Sequence, residues 1–244
     1  MKKNLLSSLI AMFSVNILLA QIVVFSPVKV EQNDIEQFLN VEMNYSKKIA
    51  QDAVNNGKLL GWVLMQNTNV GPDDYNFMWV NAYPTIEIAA NENAWWSHSE
   101  KVVGVKPDVL FSDSSKYKYD RSYTYKMQMS IPNTGPAAYV ILNFATPDDV
   151  NAVAASSKKY VIPHFKKNMS DNGMVGWGMA TKITPQGKEY SSMMTYDSYD
   201  SLKNAMKHLA GEGIIEGLPM DKLTKVTWEM RPVMKVISST TEKE

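Results

Sequence analysis

Three histidines are the side chains of this chain best suited to chemistry, because imidazole titrates near neutral pH and ligates metals. His98 lies in the run W-W-S-H-S-E with Glu100 two residues on, a pair that holds a metal only if a third ligand arrives from elsewhere in the fold. His164 follows Pro163, and His208 sits in K-H-L-A-G. Two of them also have plain structural readings: His164 as a surface residue beside Lys166 and Lys167, and His208 as a cation favoured near a helix C-terminus. No H-x-x-x-H or H-E-x-x-H spacing occurs. The chain has no cysteine, which excludes disulfides, thiolate metal sites and a cysteine nucleophile together. The residues by themselves therefore call for neither a metal centre nor a cofactor.

The remaining chemical signals are aromatic. Trp62, Tyr75, Trp79, Trp177, Tyr190 and Tyr196 fall on or beside apolar runs of strand character, where they would either stack on a flat ligand or fill a core. Sixteen methionines make an adaptable interior, open to an apolar ligand or simply packed. Gly211, Gly213 and Gly217 lack the spacing of a nucleotide loop. No G-x-S-x-G elbow, Walker A loop or calcium loop is present. Arg231 alternates with Glu229, which reads as an exposed ion pair or, alternatively, an anion-binding arginine.

The elements that must carry these residues are announced by a repetition. The stretch N-G-K-L-L-G-W, Asn56 to Trp62, returns as N-G-M-V-G-W, Asn172 to Trp177. In each copy a turn and a Tyr-started strand follow. Walking the first copy, Gln21 to Val30 predicts a strand, Ile35 to Ala53 a long amphipathic helix ended by Gly57, and Leu59 to Asn67 and Tyr75 to Ala82 two strands. A second helix follows from near Pro84 and Thr85 to the Trp95-Trp96 region, then a polar irregular stretch from Ser97 to Asp120, and a strand from Ser122 to Ile131.

The second copy keeps that order. It has a strand Ala138 to Phe144 and a helix capped by Thr146 that Pro163 kinks or divides. Strands at Met174 to Lys182 and Lys188 to Tyr196, a helix capped by Asp197 or Ser198, and a strand Lys225 to Val236 complete it. Aligning the copies on their shared tyrosines matches Trp79 with Met194 and Asn81 with Tyr196. Each copy reads β-α-β-β-α-β, a ferredoxin-like unit whose sheet leaves one apolar face to be covered. The expected architecture is α+β: two tandem ferredoxin-like units, residues 21–134 and 135–244, packed sheet to sheet after a signal segment at 1–20.

Gly61-Trp62 and Gly176-Trp177 at a strand start, the turn, and then Tyr75-Asn76-Phe77-Met78 or Tyr190-Ser191-Ser192-Met193 resemble the dimeric α+β barrel superfamily, and in layout its exported tandem members. That superfamily includes cofactor-free quinone-forming monooxygenases, haem enzymes such as chlorite dismutases and dye-decolourising peroxidases, small-molecule isomerases and ligand-binding domains. The resemblance implies an intrachain barrel with a pocket between sheet and helices. It also implies haem, if any is bound, on His164, since haem-carrying relatives hold iron through a histidine of their second half. Trp62, Tyr75 and Trp79 would form one ligand wall, and Trp177, Tyr190 and Tyr196 the other. The second copy is the expected working site, with His164 as a polar anchor beside a helix opened by Pro163.

The function expected is binding of a small apolar or aromatic molecule. The alternatives are an oxidoreductase, cofactor-free or haem-dependent, and a structural component of an envelope complex. Twenty-five basic side chains balance twenty-five acidic ones, so no basic face for nucleic acid is indicated. Lys2 and Lys3, the apolar run Leu5 to Ala20 and a small residue before Gln21 describe a secretory signal, hence a periplasmic or secreted protein with no membrane span after cleavage. Further homo-oligomerisation is compatible with such a barrel.

Overall fold

The computed structural model describes residues 22–71, 73–91 and 95–242. The expected signal segment, Met1 to Ala20, lies outside them. The chain opens with strand β1 (Ile22–Lys29) and a long helical rod. The rod comprises α1 (Ile35–Val41), a π-turn at Glu42–Ser46 and α2 (Lys47–Asn55). Its buried positions in α2, Ile49, Ala50, Ala53 and Val54, form a single stripe, as a helix on a sheet requires. Gly57, at φ +72°, provides the left-handed turn that ends the rod. Strands β2 (Gly61–Asn67) and β3 (Phe77–Tyr83) follow. The expected second helix is shorter than its pattern suggested, α3 (Ile86–Ala89) ending at Ala90, and the irregular stretch resolves into short helices α4 (Ser99–Val103) and α5 (Pro107–Leu110), then the two-residue strand β4 (Lys118–Tyr119). Strand β5 (Tyr123–Ile131) closes this half.

The second half repeats that order of elements. Strand β6 (Tyr139–Ala145) leads to a rod of α6 (Val150–Ser156), a π-turn at Ser157–Val161 and α7 (Ile162–Asn168). Strands β7 (Met174–Thr184) and β8 (Met193–Tyr199), helix α8 (Leu202–Leu209) and strand β9 (Val233–Ser239) complete it. Three expectations are corrected here. The cap of α6 is Asp149, whose carboxylate accepts from the amides of Asn151 (2.9 Å) and Ala152 (3.0 Å), not Thr146. Strand β8 runs on through Asp197 and Ser198, so α8 begins only after Ser201. The last strand starts at Val233, because Pro232 has no N–H to donate to a ladder. Residues 225–232 instead form a loop held along β6 by Glu229 N–H to Phe144 O (2.8 Å) and Phe144 N–H to Met230 O (3.0 Å).

Among the described residues the sheet runs β3-β2-β9-β6-β8-β7-β5-β1, and pairing of β1 with β3 closes it into an antiparallel barrel, with β4 appended beside β1. Each half supplies the ferredoxin-like order, β5-β1-β3-β2 and β9-β6-β8-β7. The halves join where β2 pairs with β9 and β5 with β7, so no strand of the barrel is left with an open edge. The fold is the expected α+β architecture, two units closed into one barrel within the chain.

Three cores result. The barrel interior is filled by alternate residues of all the strands, among them Phe25, Met65, Tyr125, Leu142 and Tyr196. Its residual void is about 20 Å³, room for about one water. The other two cores lie outside the barrel, between each half's helices and its strands.

Candidate functional site

The barrel interior is too full to take a ligand, so any small-molecule site must lie in an outer layer. In the second half that layer contains a cavity of about 600 Å³. Its roof is the rod, through Val153, Ser156, Ser157, Val161 and Phe165. Its floor is the outer face of β6, β7 and β8, and its open side is framed by α8 and the 209–231 loop. The π-turn at Ser157–Val161 lies directly over the cavity, and such turns recur at functional sites.

Most of the wall is apolar: Phe165 meets Trp177 edge-on at 6.2 Å, and Leu218, Met220, Leu223 and Trp228 come from the loop. One side is polar. Asn143 on β6 and Thr195 and Asp197 on β8 point outward from their strands because a strand alternates faces with period two. The Asn143 amide donates to Thr195 Oγ1 (3.0 Å) and to Asp197 Oδ2, while its own carbonyl oxygen accepts from Arg231 Nε (2.6 Å). A nitrogen of the Arg231 guanidinium then meets His208 Nε2 at 3.1 Å, and His208 Nδ1 lies 2.6 Å from the Tyr199 hydroxyl. A guanidinium only donates, so Nε2 accepts and the ring proton sits on Nδ1, facing the Tyr199 oxygen. Burial holds His208 below the usual histidine range, against the opposing pull of Asp197, in keeping with this neutral ring. Burial likewise lowers Arg231 while Asp197 supports its charge. Burial, reinforced by Asp197, pushes the Tyr199 hydroxyl up, so it stays protonated.

Asn143 and Asp197 are 1% and 2% exposed, which makes this a buried polar network and not a solvated rim. His208 is therefore not the helix-end cation that its position suggested. Arg231 is not paired with Glu229 either, since that carboxylate accepts from Ser191 Oγ at 2.6 Å.

The expected site residues scatter. Trp177 is in the cavity wall. Tyr196 faces the opposite way and fills the barrel interior, because it is odd in register with Thr195 and Asp197. Tyr190 lies in the connection between β7 and β8, where its hydroxyl accepts from Arg121 and its ring packs on Tyr123 and the Lys182 ammonium. Trp177, Tyr190 and Tyr196 thus do not form one wall. His164 lies outside the cavity lining: its Nε2 is 2.8 Å from the Ile214 carbonyl oxygen and donates to it, while Nδ1 faces the Asn168 amide at 3.4 Å. It is not the polar anchor expected beside Pro163.

Haem on His164 does not fit this geometry, since both ring nitrogens are engaged away from the cavity. His208 offers no free nitrogen in its place. His98 is exposed on a short turn elsewhere, and among the described residues no three His, Cys, Asp or Glu side chains are grouped to hold a metal ion.

The first half shows why the two layers differ. Trp62 pairs across the strands with Asn81 and Trp177 with Asp197, yet Asn81 is 19 residues beyond Trp62 and Asp197 is 20 beyond Trp177. An alignment on Tyr75 and Tyr190 therefore slips by one residue and exchanges the faces: the counterpart of Asn81 is Asp197, not Tyr196, and that of Trp79 is Thr195, not Met194. Trp79 fills the space that the smaller Thr195 leaves open. Its indole donates to Glu42 Oε2 at 3.0 Å and stacks on Tyr119, with Phe38 packing Phe77, Trp79 and Tyr117. Glu42, on the first π-turn, is buried with its carboxyl pushed up from 4.5 to about 7 by burial, the Trp79 hydrogen bond acting in the other direction. Trp62, beneath α2, and Trp79 lie on the same outer face of the first half's strands and pack into one core, whereas Tyr75 is half-buried in the β2–β3 connection and is not part of it.

Asn143, Thr195 and Asp197 went unremarked in the sequence, although the signal was there. Asn143 is the lone amide in Y-V-I-L-N-F-A, and Thr195 and Asp197 are polar at i and i+2 in M-M-T-Y-D-S-Y, on the opposite face from Met194 and Tyr196.

No protein-family model and no curated protein sequence matches the chain. Solved structures do match its shape. A putative monooxygenase from Lactobacillus acidophilus superposes over 92% of this chain and 97% of its own at 12% identity, TM-score 0.58. A putative monooxygenase from Fusobacterium nucleatum covers 96% and 97% at 10% identity, TM-score 0.56. A mutant chlorite dismutase from Candidatus Nitrospira defluvii, in complex with cyanide, covers 90% and 92% at 7% identity, TM-score 0.53. Identities this low speak for shape alone, and together with the closed eight-stranded sheet they show that the chain has the fold of the dimeric α+β barrel superfamily, formed within a single polypeptide.

Proposed function

We propose that this chain binds a small, largely apolar molecule in the second-half cavity, with the polar end of the ligand against Arg231 and its neighbours. The observation that carries the reading is the cavity itself: about 600 Å³ of apolar wall, within the usual range for ligand sites, with a single buried polar network on one side. Trp177 and Phe165 supply the aromatic surface, and the half-exposed Arg231 the orienting donors. The experiment is native mass spectrometry of the protein purified from its source, followed by fluorescence titration with the molecule released or, if none co-purifies, with 2-naphthol. Trp177→Ala and Arg231→Gln should each weaken binding about tenfold or more, whereas His164→Ala and Trp62→Ala should leave it unchanged in folded protein. If both cavity variants bind normally, the reading fails.

A second reading, an oxidoreductase of this barrel class, is favoured by the descriptions of the structural neighbours as monooxygenases and a chlorite dismutase. Oxygen uptake in the presence of hydroquinones, lost in Arg231→Gln, would support it. Export with removal of Met1 to Ala20 is proposed alongside, and the intact mass of the mature protein tests it.

A further inference from the structure

Two charges stand in one wall of the second-half cavity without touching. Asp197 and Arg231 both line it and Asp197 supports the charge of Arg231, yet among the described residues they do not approach to ion-pair distance; Asn143 lies between them and bonds both. Each is left with unused capacity. Asp197 accepts at Oδ2 only, and no described residue donates to its Oδ1. Arg231 commits Nε to Asn143 and one Nη2 hydrogen to His208, and among the described residues its other donors meet no acceptor. Asp197 is 2% exposed, and a buried charge with an unfilled hydrogen-bonding position is costly, so a molecule that donates to it gains accordingly, while the half-exposed Arg231 can turn its remaining donors to the same molecule.

The charge balance narrows what that molecule is. Asp197 and Arg231 cancel, and His208 is neutral because it accepts from Arg231. Lys225, the other charged residue of the lining, is exposed at the rim and solvated. An anion would bring a second negative charge beside Asp197 within apolar walls, and a cation would meet Arg231; both lose their hydration without net compensation.

We infer that the cavity selects an uncharged molecule carrying a hydrogen-bond donor beside an acceptor, the donor meeting Asp197 and the acceptor meeting Arg231. Phenols, enols and hydroxy-ketones on an apolar frame have this pattern. The inference rests on the ligand-binding reading above and adds the class of ligand. Asp197 is then the residue that sets specificity, through its acceptor oxygen and its charge.

The test compares three probes of one frame on the purified protein by calorimetry: 2-naphthol, which donates and accepts, 2-methoxynaphthalene, which only accepts, and 2-naphthoate, an anion. Wild type should bind 2-naphthol about ten- to a hundredfold more tightly than either of the others, the fold-change expected of one hydrogen bond to a charged group. In Asp197→Asn the new amide can keep its oxygen toward Asn143 and turn its NH2 to the cavity, which converts an acceptor to a donor and leaves Arg231 uncompensated. That variant should lose about tenfold or more for 2-naphthol and gain about tenfold or more for 2-naphthoate. Arg231→Gln should weaken 2-naphthol without any gain for 2-naphthoate, and it serves as the deciding variant if Asp197→Asn does not fold. Wild type binding all three probes equally, or preferring 2-naphthoate, overturns the inference while leaving the cavity a binding site. Retention of the 2-naphthol preference in Asp197→Asn overturns the role of Asp197. Failure of every probe to bind overturns the ligand-binding reading and this inference with it.

Discussion

Glu42→Gln isolates the energetic cost of a carboxyl buried in the first-half rod. Glu42 lies on the π-turn under Trp79 and Tyr119, with its carboxyl raised from 4.5 to about 7 chiefly by burial. A folded-state pKa above the unfolded one means that the folded protein holds the proton more tightly. The associated stability is present in full below about pH 4.5, is lost as pH rises through about 7, and is gone above it. At 1.36 kcal/mol per pH unit, the shift corresponds to about 3 kcal/mol lost between pH 4 and pH 8. Glutamine has the same shape, keeps an oxygen to accept from the Trp79 indole, and does not ionise. Glu42→Gln should therefore differ little from wild type at pH 4 and be more stable by about 3 kcal/mol at pH 8. Urea unfolding followed by circular dichroism at the two pH values measures this, since every other titrating group is common to both proteins. A wild-type-to-variant difference that is the same at both pH values would refute the assignment of this cost to Glu42.

The remaining predictions concern the barrel. Expressed separately, Gln21 to Pro132 and Gly135 to Glu244 should not give two soluble, cooperatively unfolding monomers. Each half needs the other to pair β2 with β9 and β5 with β7 and to cover its interior face; analytical ultracentrifugation and thermal melts decide it. Gly178→Ala should destabilise by about 1–3 kcal/mol, because a Cβ there would lie 2.3 Å from the Tyr196 ring inside the barrel. Combining it with Tyr196→Leu should recover part of that loss in denaturant titrations, and strict additivity of the two changes would exclude this contact as the cause.

What could be read along the chain was whatever depends on local period and punctuation. The alternating apolar runs, the stripes of the long helices and the glycines that end them, Gly57 and Gly173, are consequences of neighbouring residues. They carried the β-α-β-β-α-β order and, with one apolar face left over per unit, the barrel. The site needed distances that no local pattern contains. Asp197 and Tyr196 are adjacent in sequence and lie on opposite sides of the sheet. The one extra residue between Trp177 and Asp197, relative to Trp62 and Asn81, decided which of them faced the helices. Asn143, His208 and Arg231 come from a strand, a helix end and a loop far apart in sequence, and their shared hydrogen bonds exist only once the loop folds back along β6. Even the difference between the halves is a tertiary matter. Trp79 and Thr195 occupy equivalent strand positions, and the indole packs against Glu42, Phe38 and Tyr119 in the first half where the smaller threonine lines the cavity of the second.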